Sequence, residues 1–251
     1  MNGLKVLVTR PQPENQITCQ ALTALGATPL ALPMLSIEPL TDDPDIKRAI
    51  HSKLFDLDLY HYVIFVSKNA ARLGAEVIDE CWPMLPAKTH WLGIGQGTTE
   101  TLRQQQIPAL SNPGNNTEAM LEWLKPAKMR EQKVLIVRGS GGRPDLGKAL
   151  ADRGAIVDYL ELYKRHTPTY TAQTFLFLEQ PDVIWATSGE SLINLTHYLD
   201  HHAPALKHST LFVPSERVAQ QAHQLAWQQV ICAYGADDNS MIAATKQHLG
   251  Q

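Results

Sequence analysis

The sequence predicts a soluble α/β protein built on parallel sheets, and three observations carry that reading. Short apolar runs rich in β-branched residues recur along the 251 residues. Amphipathic stretches with a helical period separate them, and several of these units return in the same order in the second half of the chain.

The runs are Lys5–Thr9, Tyr62–Val66, His90–Ile94, Lys133–Val137, Asp182–Ala186, Thr210–Val213 and Gln229–Ala233. Most are continuously apolar rather than alternating, as expected of strands covered on both faces in a parallel sheet. Between them, Ala70, Leu73, Val77 and Cys81 share one helical face. Leu192, Leu195 and Leu199 share another, and Val218, Ala222 and Leu225 a third. Such alternation implies βα units with right-handed connections.

The repeat has an offset of 128: Val6-Leu7-Val8-Thr9-Arg10 returns as Val134-Leu135-Ile136-Val137-Arg138, and Leu22…Gly26-Ala27 as Leu150…Gly154-Ala155. Val63–Ser67 then parallels Val183–Ser188, and Leu92–Gly95 parallels Leu211–Pro214. Ordered matches of this kind point to two copies of one architecture. Two extended segments follow the Gly-Ala pairs, Thr28–Leu40 and Ile156–Pro168. Pro29, Pro33 and Pro39 keep the first out of a sheet interior, so both read as connectors between domains. Ser111–Thr117 reads as a surface loop.

Bulk properties narrow the function. Apolar residues are 44% of the chain and the net charge is −3, with both signs spread evenly. No basic face or tail suits nucleic acid. Cys19, Cys81 and Cys232 are widely spaced and odd in number, with no CxxC pair, which fits a reducing cytoplasm. No apolar run approaches the ~18 residues of a membrane span, and Met1–Arg10 lacks a signal-peptide core. A cytoplasmic protein without a membrane partner is expected.

The strand ends hold the chemistry. They read Thr9-Arg10-Pro11, Ser67-Lys68-Asn69, Gly93-Ile94-Gly95-Gln96-Gly97-Thr98, Arg138-Gly139-Ser140-Gly141-Gly142-Arg143, Thr187-Ser188-Gly189 and Pro214-Ser215-Glu216-Arg217. Each places a small hydroxyl or a glycine where a helix starts. Unpaired amides and the positive end of the helix dipole there favour an anion by about 0.3–1 kcal/mol. Several such turns around one cleft suit a polyanion. Taken alone, Ser67, Ser188 and Ser215 read first as ordinary N-caps. Gly93-x-Gly95-x-Gly97 lacks dinucleotide spacing, and the Arg138–Arg143 turn is no Walker loop, although its two arginines suit a carboxylate or phosphate. His197 and His201 have metal-compatible spacing, but a helix C-terminus explains them more cheaply. Cys19 and Cys81 read as core. No nucleophile elbow or carboxylate pair stands out, and Tyr163 lies in the second connector.

Across nearly its whole length the chain resembles the uroporphyrinogen-III synthase family. The resemblance rests on Val6–Pro11, Phe65–Ala70, Gly93–Thr98, Val137-Arg138-Gly139 with Arg143 and Leu146, Gly154-Ala155 leading to Tyr163, Thr187-Ser188, and Val213-Pro214-Ser215 with Ala219. It implies two parallel-sheet α/β domains joined by a two-stranded linker, with the active site in the inter-domain cleft. Residues 1–37 and 168–251 would form a discontinuous domain and 38–167 an inserted one. The implied substrate is hydroxymethylbilane, a linear tetrapyrrole with eight carboxylates. It is closed to uroporphyrinogen III with inversion of ring D and loss of water through an azafulvene cation and a spirocyclic intermediate. Neither metal nor organic cofactor is implied.

The family's cleft tyrosine falls on Tyr163 and its cleft hydroxyls on Ser67, Thr98 and Ser188; the strand-end turns add Arg10, Asn69, Gly97, Arg138, Gly139, Ser140, Arg143, Gly189 and Ser215 as expected substrate-binding residues. The last turn departs from the family's Gly-Pro-Thr-Thr, and Glu216 is expected to face away from a polycarboxylate. A monomer that takes its substrate from the preceding pathway enzyme is expected. A non-catalytic two-domain binder of an anionic small molecule, and a nucleotide-sugar transferase, stay open on the residues alone.

Overall fold

The computed structural model describes residues 1–112, 114, 116–125, 129–176, 178 and 180–250. The chain divides into two compact units, Met1–Ile37 with His166–Gln251 (unit 1) and Glu38–Arg165 (unit 2).

Unit 1 begins with β1 (Lys5–Val8), α1 (Glu14–Ala24) and β2 (Thr28–Ala31). The next strand, β3 (Ser36–Pro39), spans the boundary. Unit 2 runs α2 (Pro44–Leu54), β4 (Tyr62–Phe65), α3 (Lys68–Cys81), β5 (His90–Gly93) and α4 (Gln96–Gln104). It continues with β6 (Leu110–Ser111), α5 (Thr117–Trp123), β7 (Lys133–Gly139), α6 (Asp145–Asp152) and β8 (Ile156–His166). The chain then returns to unit 1 with α7 (Ala172–Leu176), β9 (Val183–Trp185), α8 (Gly189–His202), β10 (Thr210–Val213), α9 (Glu216–Gln224), β11 (Val230–Cys232) and α10 (Asp238–His248).

All seven apolar runs are strands. The sheet orders are β11-β10-β9-β1-β2 and β3-β8-β7-β4-β5-β6. Strand pairs β1–β2, β1–β9, β4–β5, β4–β7 and β7–β8 are parallel. The continuous apolar pattern has the expected cause. Leu7 joins Ile184 and Leu211 in one core of unit 1, while Val6 and Val8 join Val183, Trp185 and Phe212 in another. Successive residues of one strand therefore bury on opposite faces, and each such side chain contributes about 1.5–3 kcal/mol relative to exposure. In unit 2, Ile64, Leu92, Val134 and Ile136 form a core with Leu146 and Leu150 of α6. Val63, Phe65, Leu135 and Val137 are equally buried.

Two expectations change. Both connectors are partly sheet: Ile156–His166 is β8, paired with β7, and Thr28–Ala31 pairs with β1 as an edge strand, the position in which Pro29 costs no ladder bond. Cys19 and Cys81 are half-buried rather than core, and burial leads in pushing both thiols up. Of the Ser111–Thr117 loop, Pro113 and Asn115 lie outside the described residues; Ser111 ends β6 and Thr117 opens α5.

Helix starts follow local chemistry. Ser67, Ser188 and Asp237 cap α3, α8 and α10 by accepting from the amides of Ala70, Ser191 and Ser240. The Ser240 amide and hydroxyl, at 3.0 and 2.8 Å, hold the Asp237 carboxyl below the usual range, with a smaller push from Arg10. Asp237→Ala should cost about 1 kcal/mol in urea titrations at pH 7. A carboxyl lowered on folding contributes fully above the ordinary aspartate range and loses that contribution as pH falls through its folded value. The difference between wild type and variant should therefore shrink below about pH 4. A pH-independent difference would separate the cap from the carboxylate charge.

Candidate functional site

In unit 2 the strand order reverses between β7 and β4: β7 continues to β8 on one side, and β4 to β5 on the other. Neither connection crosses the carboxyl ends of this central pair, and such a point opens a crevice in a parallel sheet. A cavity of about 380 Å³ lies there, lined among others by Ser67, Arg138, Gly139, Arg143, Tyr163 and Arg165.

Tyr163 is fixed from three sides. Its hydroxyl lies 2.9 Å from Ser67 Oγ, and its carbonyl accepts from the Ser140 amide at 2.8 Å. Its ring covers Gly139, where a β-carbon would come within 2.5 Å of Cε2 and 2.7 Å of Cζ. A bulge causes this fit. Arg138 pairs with Glu161, but Gly139 pairs with Tyr163, so β8 carries one extra residue at the end of the ladder. Bulges of this kind re-aim a side chain, and here the phenol falls over the one residue that leaves room for it. Tyr163 is 5% exposed, and its hydroxyl borders the cavity through Ser67.

Sequence reasoning passes over Glu161, which organises the turn. One of its oxygens accepts from Arg138 Nε and Nη2 at 3.1 and 2.9 Å, and the other from the Ser140 hydroxyl at 3.0 Å. Arg138 also donates to the Arg143 carbonyl at 3.3 Å and lies 4.3 Å above the Tyr159 ring. The guanidinium that the sequence offers to an anion is thus held by protein groups. Ser140 is committed in the same way through both its hydroxyl and its amide. Arg143 is the contrasting case: its side chain is 85% exposed and 4.0 Å from Asp145. The only cue to Glu161 is an opposite charge facing Arg138, and that needs the strand register.

The glycine-rich turn after β5 serves mainly to start α4. Gly95 adopts φ +80 at the N-cap, and its amide donates to Asn112 Oδ1 at 3.1 Å. Thr98 is buried, and the neighbouring Thr99 hydroxyl bonds back to the Gly95 carbonyl. A β-carbon at Gly97 would touch Lys68 Cε at 2.6 Å, so the Lys68 stem lies across this turn. Asn69, half-buried, is the second residue of α3.

In unit 1 the order reverses between β1 and β9. Arg10 is mostly buried and donates to Asp238 at 2.8 Å and to the Thr18 hydroxyl at 3.2 Å, so it too is internally paired. Ser188 bonds the Ser191 amide and hydroxyl, at 3.1 and 2.9 Å. A β-carbon at Gly189 would meet Gln221 Oε1 at 2.5 Å. Ser215 occupies the N-cap of α9 without a capping bond, which leaves its hydroxyl available, unlike those of Ser67 and Ser188. Glu216 accepts from Tyr234 at 2.9 Å, which raises that phenol. His201 Nδ1 is 2.7 Å from the His197 carbonyl. Among the described residues, no group of three or more His, Cys, Asp or Glu side chains could hold a metal ion, and no helix is long and apolar enough to cross a membrane.

The two arginines of the β7 turn should separate by stability. Arg138→Ala leaves Glu161 without its cation and should cost on the order of 1–2 kcal/mol in urea denaturation, the value discounted because Glu161 is partly solvated. Arg143→Ala should stay within about 0.5 kcal/mol of wild type. Equal losses would contradict this division of roles.

A family model described as uroporphyrinogen-III synthase HemD matches residues 18–243. The uroporphyrinogen-III synthase of Escherichia coli K12 is 28% identical over 254 residues, covering 96% of this chain and 99% of that protein. That of Salmonella typhimurium LT2 is 28% identical over 256 residues, with the same coverage of 96% and 99%. Among solved structures, a mutant uroporphyrinogen III synthase from the extremely thermophilic bacterium Thermus thermophilus superposes with a TM-score of 0.60 at 15% identity, covering 99% of this chain and 100% of that one. The Helicobacter pylori 26695 uroporphyrinogen-III synthetase gives 0.58 at 14% identity, covering 100% and 99%. At those identities the structural likeness is one of fold.

Proposed function

The chain belongs to the uroporphyrinogen-III synthase family, and from that premise we propose that it converts hydroxymethylbilane to uroporphyrinogen III with inversion of ring D and loss of water. It acts as a cyclising hydro-lyase of tetrapyrrole and haem biosynthesis. The observation that carries this reading is the family match over residues 18–243. The match favours the enzyme over a non-catalytic binder of similar architecture.

The chemistry suits the strand-end turns. Hydroxymethylbilane closes without inversion when left alone, so the protein's main task is to hold a folded conformer of a polycarboxylate, which is catalysis by positioning. In unit 2 the main-chain amides at Ser67 and Asn69 that open α3, and the Gly97–Thr98 turn, offer anion-binding groups, while the Ser67 hydroxyl is held by Ala70 and Tyr163. Arg143 offers an exposed cation. Arg138 and Ser140, whose polar groups are spent on Glu161 and Tyr163, and Gly139, which leaves room for the Tyr163 ring, contribute by shaping the wall. In unit 1, the Ser215 hydroxyl and the main-chain amides of Ser188 and Gly189 serve as further carboxylate contacts, while Arg10 holds α10 through Asp238. Tyr163 is the proton donor to the departing hydroxyl. Its support is a fixed phenol at the cavity wall whose hydrogen-bond partner is a neutral serine hydroxyl.

We further propose a cytoplasmic monomer that receives the bilane from the enzyme producing it; the three free cysteines support the reducing compartment. The purified protein, given freshly prepared bilane, should yield the type III isomer. Type I alone, at the spontaneous rate, would overturn the function. Tyr163→Phe should lower kcat by about a hundredfold while leaving the denaturation midpoint nearly unchanged, and unaltered turnover would remove Tyr163 from the reaction. Arg143→Ala should raise KM with little effect on kcat.

A further inference from the structure

We propose that Ser67 is a positioning residue for Tyr163: it holds the phenol in the acid-competent pose and steadies the phenolate formed when that acid is spent. The inference rests on the reading of Tyr163 as proton donor and goes beyond it.

The hydrogen-bond inventory of Ser67 leaves little choice. Its oxygen accepts from the Ala70 amide at 3.0 Å, as the cap of a fourteen-residue helix, and lies 2.9 Å from the Tyr163 hydroxyl. In the resting state either hydroxyl can donate to the other. When Ser67 donates, the Tyr163 proton is released to point at the cavity. Gly139 beneath the ring and the Ser140 amide on the Tyr163 carbonyl prevent the phenol from following a moving partner.

The carbon–oxygen bond of the hydroxymethyl group breaks with its electron pair on oxygen. That oxygen takes the Tyr163 phenolic proton and leaves as water. The bilane is left as an azafulvene cation and Tyr163 as a phenolate. Ser67 O–H then donates to the phenolate while its oxygen keeps the Ala70 amide at the positive end of α3, so the new charge is met by a dipole already in place. The proton lost from carbon at ring closure returns to Tyr163.

A cap and a positioning group can be separated by substitution. Ser67→Gly removes the hydroxyl but costs a helix N-cap only a few tenths of a kcal/mol. It should lower kcat about tenfold or more, change KM less than about twofold, and leave the denaturation midpoint near wild type. Ser67→Thr, which keeps both hydroxyl and cap, should restore most of kcat. Ser67→Ala, which also weakens the cap, should show the same kcat loss as Ser67→Gly. In a Tyr163→Phe background, Ser67→Gly should add little further loss, because the group it serves is gone.

The outcomes are distinct. Full activity in Ser67→Gly with a crippled Tyr163→Phe overturns the positioning role and leaves the tyrosine standing. Losses that multiply in the double variant also overturn it, by placing Ser67 on an independent path. A silent Tyr163→Phe overturns the reading of the tyrosine and this inference with it.

Discussion

Unit 1 depends on the parallel pairing of β1 with β9. Val6 lies opposite Val183 and Leu7 opposite Ile184, and Thr9 donates to the Trp185 carbonyl 176 positions later. Before that pairing forms, β1, α1 and β2 are a βαβ fragment with one edge unpaired, in which Val6 and Val8 have Leu22 and Ala27 but lack Val183, Trp185 and Phe212. All of unit 2 is made between the two halves of this sheet. Loop-closure entropy grows only logarithmically, about 0.6 kcal/mol per doubling, so the insertion costs little at equilibrium. Its weight falls on kinetics: unit 2 can assemble from contiguous chain, whereas unit 1 must wait for the return.

The same pairing explains why the sequence repeat and the structural units disagree. Apart from β3, which adds a sixth strand at the edge of the second sheet, each sheet combines a two-strand βαβ piece with a three-strand piece. In unit 1 the order β2-β1-β9-β10-β11 joins β1-α1-β2 to β9 through β11, and in unit 2 the order β8-β7-β4-β5-β6 joins β7-α6-β8 to β4 through β6. The spatial orders match, but in unit 1 the two-strand piece comes first and in unit 2 it comes last. The offset of 128 therefore superposes β1 on β7, which belong to different units, and each half of the sequence lends strands to both.

Much of this was legible in the residues. Continuous apolar runs mark strands buried on two faces, and Val6-Leu7-Val8 divides between two cores as that pattern demands. β6 escaped notice because two residues, one of them exposed Leu110, carry no pattern. β2 is legible only as an extended segment, because its proline signals an edge without naming the sheet. In the site, residue types were legible but partnerships were not. Ser67 and Ser188 read correctly as caps, since capping is local. That Ser67 meets Tyr163, 96 positions away, and that Arg138 is spent on Glu161 depend on register and on a bulge, neither of which leaves a trace in composition.

The fit of Tyr163 over Gly139 has a consequence for how such a sequence can drift. Amides at strand ends persist whatever side chains surround them, so anion binding through the main chain tolerates extensive replacement of neighbours. The position beneath the phenol has no such freedom: even one added methyl group would sit 2.5 Å from the ring. Gly95, at φ +80, is restricted for a different reason, since its backbone lies where side-chain-bearing residues are strained. Substitution in this protein is therefore limited most by where atoms must be absent. Its tolerance map should be read as a set of small vacancies, around which a wide range of side chains is exchangeable.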